Sequence, residues 1–301
     1  MSRVSAIIVN YNAGELLLGV VNSVLYSGAV AKVIIVDNGS ADNSMDEIEH
    51  LAILQSRLIC IRNEKNLGFA KACNMGIALA GENDDLLFLN PDCIMNPNAL
   101  ETMLACLKSI PQVAMAGPLL LNPEGTEQAG GRRSVPTPWR SFIRVFGLSK
   151  LCERYPRLFS DFLMHRQPLP EDITEVEAIS GSCMLVRRAA IRDVGALDEG
   201  YFLHCEDLDW CMRFRQRGWK IMFVPGASAV HYQGTCSKTR PIFVEWHKHK
   251  GMMRFYGKFF RHQYPGVLFW IVGFGVWLRF GAVAFCHSVK HLRQWLKHDR
   301  V

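Results

Sequence analysis

LFLNPDC, residues 87–93, is an apolar run that halts on an amide (Asn90), a ring without an N–H (Pro91) and a carboxylate (Asp92). A strand that reads as buried on both faces and ends on polar groups is the pattern of a parallel sheet whose strand ends carry a site. Upstream, VSAIIV (4–9) runs into Asn10-Tyr11-Asn12, and KVIIVD (32–37) into Asn38-Gly39-Ser40; LICIRN (58–63) and VAMAG (113–117) read as further strands. Helical stripes fall between them. Leu17, Val20, Val21 and Val24 share one face of a helix closing at Gly28. NPNALETMLACLKSI (96–110) points Leu100, Met103, Leu104 and Leu107 inward, with Asn96 as expected cap and Pro97 at the first position. The alternation predicts an α/β fold: a Rossmann-like, mostly parallel sheet with helices on both faces.

After residue 117 the pattern degrades. Residues 118–175, with Gly130-Gly131-Arg132-Arg133 and several prolines, predict a long excursion or flap. Order returns at AISGSCMLVRR (178–188), YFLHCEDLDWCMRFRQRGW (201–219) and KIMFVP (220–225).

Composition narrows the class. In 301 residues, 49% hydrophobic and 21% charged residues exclude a disordered or fibrous chain. The N-terminal residues MSRVSAIIVNYN lack the apolar core and small-residue cleavage site of a signal peptide, so translocation is not expected. Ten cysteines without a C-x-x-C pair predict reduced core thiols in a cytosolic protein, not a zinc or disulfide framework. The net charge of +6 is uneven: residues 238–301 hold 12 Lys/Arg against 2 Asp/Glu, a balance of +10, which leaves −4 on residues 1–237. A basic tail alone favours a membrane surface over a nucleic-acid groove.

The glycines form neither a dinucleotide fingerprint nor a phosphate-binding P-loop. Six blocks carry a resemblance instead: SAIIVNYN, VIIVDNGSADNS, NEKNLGFAKACNMGI, LFLNPDC, GSCMLVRRAAIRDVGALDEGYFLHCEDLDWCMR and VPGASAVHYQG. In this order they resemble inverting family-two glycosyltransferases of the GT-A fold, most of all the rhamnosyltransferase branch, over about residues 1–235. The resemblance implies transfer of one sugar, with L-rhamnose from dTDP-L-rhamnose as the expected donor. It also implies a role for each strand end. Asp92 is the expected ligand of Mg2+ or Mn2+, with Asn90 beside it where the family's Asp-x-Asp motif has its first acid, and His231 is the expected late histidine ligand. Asp37 would read a pyrimidine N3–H and Tyr11 would stack on the base, with Asn66, Gly68 and Lys71 lining the nucleotide pocket. In CEDLDW, Asp207 is the expected catalytic base; Glu206 would hold the acceptor, and Trp210 would wall it. His247 and His249 read as tail surface.

The expected organisation is a catalytic domain over 1–237, with a nucleotide-binding half to about 117 and an acceptor half after it, followed by a tail over 238–301. Residues 265–285 are long enough to cross a bilayer, but Arg279 interrupts them and both flanks are basic. A helix or helical hairpin lying in the cytoplasmic leaflet is therefore expected, with a single span as the alternative. Expected partners are the nucleotide sugar, a glycan or polyprenyl-diphosphate-linked acceptor and the inner face of the cell membrane; nucleic acid is not expected. Competing readings are another UDP- or dTDP-hexose transferase, a sugar-phosphate nucleotidylyltransferase, or a non-catalytic sugar-nucleotide binding module. The missing N-terminal Gly-rich basic loop argues against the second, and the Glu206-Asp207 pair with His231 against the third. No Gln-x-x-Arg-Trp motif of processive synthases is present.

Overall fold

The apolar runs become the centre of one sheet. The computed structural model describes residues 3–145, 148–155, 162–234, 240–263 and 265–298. Its strands are β1 (Val4–Asn10), β2 (Val30–Asp37), β3 (Leu58–Arg62), β4 (Asp85–Leu89), β5 (Cys93–Met95), β6 (Val113–Leu121), β7 (Arg132–Arg133), β8 (Thr174–Glu175), β9 (Ala178–Ile179), β10 (Cys183–Val186) and β11 (Lys220–His231). The helices are α1 (Leu16–Leu25), α2 (Asp46–Leu54), α3 (Phe69–Leu79), α4 (Ala99–Ser109), α5 (Pro138–Val145), α6 (Arg188–Val194), α7 (Glu206–Gln216), α8 (Pro241–Phe259) and α9 (Gly266–His298), with a 3-10 helix at Leu148–Glu153.

Eight strands run in the order β3-β2-β1-β4-β10-β6-β11-β5, and β8 adds to β11. Neighbours among β1 to β4 are parallel, as are β6 and β11, while β10 lies antiparallel between β4 and β6. Every residue of β1 is buried, which is why the run carries no polar alternation. Leu17, Val20, Met103 and Leu107 pack with one face of the sheet; Phe88, Trp210, Phe214 and Phe223 pack with the other. Helices thus cover both faces, as the alternation predicts. Cys60, Cys73, Cys93, Cys106, Cys183, Cys205, Cys211 and Cys286 are free thiols.

Helix α4 starts two residues later than its cap signal suggests. Asn98, at φ 64°, is the cap residue, and the Asn96 amide is spent on Ser228 Oγ of β11 at 2.8 Å. A tertiary bond has displaced the local capping bond.

The excursion after residue 117 is partly ordered. It contributes β7, which pairs with β9 in a two-stranded sheet, and α5, held by Arg140–Glu177 at 2.6 Å and Ser141–Tyr256 at 2.5 Å.

The expected boundary at 237/238 lies outside the described residues, and packing beyond it does not follow that boundary. Helix α8 buries Phe255, Tyr256 and Phe259 in the second core, each worth about 1.5–3 kcal/mol of transfer free energy when fully buried. Gly251 lets its backbone approach closely: a Cβ there would meet the His204 carbonyl at 2.9 Å. Its Arg254 and Lys258 bind Asp198, at 2.9 Å each, and Lys258 also reaches buried Asp209 at 2.6 Å. Helix α9 then returns antiparallel along α8, with Trp246 against Trp277, Met253 against Gly273 and Gly257 against Phe269. His249, expected at the surface, is fully buried between the two helices, where Arg279 Nη1 lies 3.3 Å from its Nε2.

Candidate active site

Parallel pairing brings the first two polar clusters together. Asn10 is in register with Asp37, and its Nδ2 donates to Asp37 Oδ1 at 2.8 Å. Ser40 Oγ donates to the same oxygen at 2.5 Å and Ser40 N to Oδ2 at 3.2 Å. Asp37 is only 2% exposed; its acceptor bonds hold it at the strand end. Tyr11 lies half-buried beside this pair. Asn38 ties in the third loop: its Nδ2 donates to Asn66 Oδ1 at 2.9 Å, and its Oδ1 accepts from Leu67 N at 3.0 Å. Asn66 also accepts from Gly68 N at 2.9 Å. It therefore ties the loop after β3 to the end of β2. Gly68 adopts φ 90°, and a Cβ there would strike the Phe202 carbonyl at 2.9 Å. Lys71 is exposed on the first turn of α3.

A second set sits where β4 and β11 end and β5 and β10 begin. Cys93 of β5 pairs with His231 of β11, which brings the preceding Asp92 against the imidazole: Nε2 lies 3.1 Å from Asp92 Oδ1. Both side chains are about 6% exposed. Neighbouring ligands of an octahedral ion with bonds near 2.1 Å stand about 3 Å apart, so this spacing fits two positions of one ion. Among the described residues no group of three or more His, Cys, Asp or Glu converges. An ion here would need oxygens from the diphosphate, which suits Mg2+ or Mn2+. Asn90 is tied to the start of β10: its N donates to Ser182 O at 2.8 Å and its Nδ2 lies 3.4 Å from Ser182 Oγ.

The paired acids open α7. The turn before them holds two non-glycine residues in left-handed backbone, His204 at φ 67° and Cys205 at φ 71°. Each costs on the order of 1–3 kcal/mol, a cost found most often at functional sites. Asp207 Oδ2 accepts from Gly181 N at 3.1 Å and Oδ1 from Leu208 N at 2.7 Å. Arg133 of β7 forms an ion pair with the same carboxylate. Burial works to raise Asp207, but the Arg133 guanidinium and the two amide donors outweigh it and hold the carboxyl below its usual range. Glu206 goes the other way. Burial first, and then the Asp207 charge, push it up to about 8, and its Oε2 is buried without a partner among the described residues. One acid is thus an ionised acceptor and its neighbour a neutral acid at pH 7.

One expectation changes on this geometry. Trp210 is fully buried, edge-on to Phe88 at 5.3 Å, with its indole N–H on Gly195 O at 2.9 Å. It anchors α7 in the core and does not wall the cleft, because α7 turns this face to the sheet. Two residues that the sequence did not single out belong to the site. Arg133 lay in a stretch read only as a flap, though a buried acid pair calls for a nearby cation. Gln128, with Oε1 2.6 Å from His231 Nδ1, gave no local signal at all.

The profile described as "Glycosyl transferase family 2" matches residues 5–195. The chain belongs to this family. It is 30% identical over 213 residues to the N-acetylglucosaminyl-diphospho-decaprenol L-rhamnosyltransferase of Mycobacterium tuberculosis, covering 67% of this chain and 66% of that protein. It is 31% identical over 174 residues to rhamnosyltransferase WbbL of Escherichia coli, covering 55% and 61%. The chain thus spans somewhat less than two thirds of the length of these relatives. Two solved structures share the fold. The mannosyltransferase PcManGT of Pyrobaculum calidifontis, in complex with GDP-Man and Mn2+, matches at TM-score 0.57 and 14% identity, over 96% of this chain and 75% of that one. GalNAc-T7 with UDP, GalNAc and Mn2+ matches at TM-score 0.57 and 20% identity, over 77% and 44%. This member of the family therefore has the α/β architecture of the GT-A fold.

Proposed function

We propose that this glycosyltransferase moves L-rhamnose, with inversion, from dTDP-L-rhamnose to a glycan or polyprenyl-diphosphate-linked acceptor. One observation carries the transfer chemistry: ionised Asp207 is joined through Gly181 and Ser182 to Asn90, two residues from Asp92. Base and diphosphate-side residues thus share one sheet edge. The relatives in Mycobacterium and Escherichia, named as rhamnosyltransferases, support the choice of sugar.

In this reading Asp37 accepts from the pyrimidine N3–H and Tyr11 lies along the ring, while Asn66, Gly68 and Lys71 border the nucleotide. Asp207 takes the proton from the acceptor hydroxyl as that oxygen attacks the anomeric carbon, and the bond to the diphosphate breaks on the opposite face. Neutral Glu206 offers a proton to an acceptor oxygen. Asp92 and His231 are the residues that would hold Mg2+ or Mn2+; the ion, when bound, neutralises charge on the departing diphosphate. Asn90 stands beside them as a polar contact. With dTDP-L-rhamnose and a lipid-linked N-acetylglucosamine acceptor, free dTDP is expected only when both are present. Asp37→Ala is expected to erase the preference for dTDP over GDP in calorimetry. Release of dTDP without acceptor, or equal binding of GDP by the unaltered protein, counts against this assignment.

The acceptor reading predicts a membrane contact, and α9 offers the surface. Its segment Phe269–Lys290 is long and apolar enough to cross a membrane and is only 11% buried. Val267, Trp270, Ile271, Phe274, Leu278 and Phe285 are 61–75% exposed, and at 100° per residue they form a face about 100° wide. Arg279 is turned away from that face toward His249. The opposite side is covered by α8, which is itself pinned to the catalytic unit. We infer that α9 lies in the interface of an anionic membrane rather than crossing it, with exposed Lys250 and Lys290 near the headgroups. The full chain should float with anionic liposomes at low salt, and Trp270→Glu/Phe274→Glu should stay at the bottom with donor binding intact. Unaltered protein that stays at the bottom refutes the membrane contact.

A further inference from the structure

We propose that Gln128 is a positioning residue that fixes His231 in the tautomer able to bind the metal. The inference rests on reading Asp92 and His231 as the metal site. Gln128 is buried, and its two ends meet different neighbours. Its Nε2 lies 3.1 Å from the His231 carbonyl oxygen and 3.1 Å from Asn122 Oδ1; its Oε1 lies 2.6 Å from His231 Nδ1. A backbone carbonyl can only accept, so the amide NH2 must face it and the amide oxygen must face the ring. The ring nitrogen opposite that oxygen must then carry a hydrogen. Nδ1 is the donor, which leaves Nε2, 3.1 Å from Asp92 Oδ1, as the nitrogen that would take a metal.

The orientation is reinforced from outside the site. Asn122 Nδ2 donates to Thr126 Oγ1 at 2.9 Å, and Thr126 Oγ1 donates to Glu124 Oε1 at 3.2 Å. The Glu124 carboxylate accepts only, so the hydroxyl hydrogen goes to it and the hydroxyl oxygen receives the Asn122 amide. That leaves Asn122 Oδ1 for Gln128. Donation thus runs in one direction, from the buried imidazole through Gln128, Asn122 and Thr126 to the exposed Glu124 carboxylate. The other ring nitrogen, Nε2, faces Asp92 Oδ1 at 3.1 Å, where an ion would take the place of a hydrogen. Partners of this kind on the far nitrogen typically alter metal affinity by ~10–100-fold.

The test uses the full-length protein. Long-range proton–nitrogen spectra of histidine-labelled, metal-free protein should show His231 carrying its hydrogen on Nδ1. Gln128→Leu should lose that signature and bind Mn2+, titrated by EPR with dTDP present, ~10–100-fold more weakly. Gln128→Glu keeps an acceptor toward Nδ1 but loses the amide hydrogens toward the His231 carbonyl, so it should recover the Nδ1 signature and bind Mn2+ more tightly than Gln128→Leu, which separates the tautomer from general damage to the fold. Equal Mn2+ affinity in Gln128→Leu and the unaltered protein overturns the role of Gln128. Failure of the unaltered protein to bind Mn2+ with dTDP overturns the metal site beneath it.

Discussion

Asp207→Asn is expected to lower sugar transfer by ~10²–10⁴, the usual contribution of a positioned general base, while nucleotide binding survives. The separation follows from geometry. Asp207 is anchored by Gly181, Leu208 and Arg133 at the start of α7, whereas the nucleotide expectation rests on Asp37 and the loops after β1, β2 and β3. A second effect comes with the first. Arg133 Nε already lacks a partner among the described residues, and neutralising Asp207 leaves its guanidinium nearly buried without its counter-charge. Removing one member of such a pair costs about 3–5 kcal/mol. The variant should therefore melt earlier, yet still be stabilised by added dTDP. Isothermal titration of dTDP beside a turnover assay decides the matter: lost nucleotide affinity with retained turnover would falsify the assignment of Asp207.

Chelation should remove activity, and Asp92→Ala should raise the metal concentration required. Asp92 and His231 are the two donors that the β5–β11 pairing brings together, and losing the only carboxylate leaves a neutral ring to hold a dication. His231→Ala should shift the same titration less, because the charged ligand remains. The measurement is transfer rate against added Mn2+ after dialysis with EDTA. Full activity in excess EDTA removes the metal from the mechanism, and an unshifted titration in His231→Ala returns that histidine to a structural part.

The strand ends were legible because each is a local event: an apolar run meets Asn10, Asp37 or Asn90, and the parallel register aligns them without further information. The acid pair and His231 were legible only by resemblance, since acids in a first helical turn are commonly dipole partners. Trp210 was misplaced because its position beside the acids is a fact of sequence, while its burial is set by the rotation of α7 on Phe88. Arg133 and Gln128 were out of reach for a different reason. Each acts on a residue about 75 to 100 positions away, through a stretch without periodicity, and only the closed fold brings them together.

Helix α8 grips α7 through Lys258 and Asp209 on one side and carries α9 along the other. On the proposed reading it is a strut between the acid pair of α7 and the exposed apolar face of α9. A bilayer that took up α9 would then meet Asp207 at a set height. An acceptor hydroxyl presented at that height would fall within reach of Asp207, and one carried farther out on a longer glycan would overshoot it. Acceptor length would then be selected by the scaffold's spacing, as a gauge selects thickness, without a dedicated pocket to measure it.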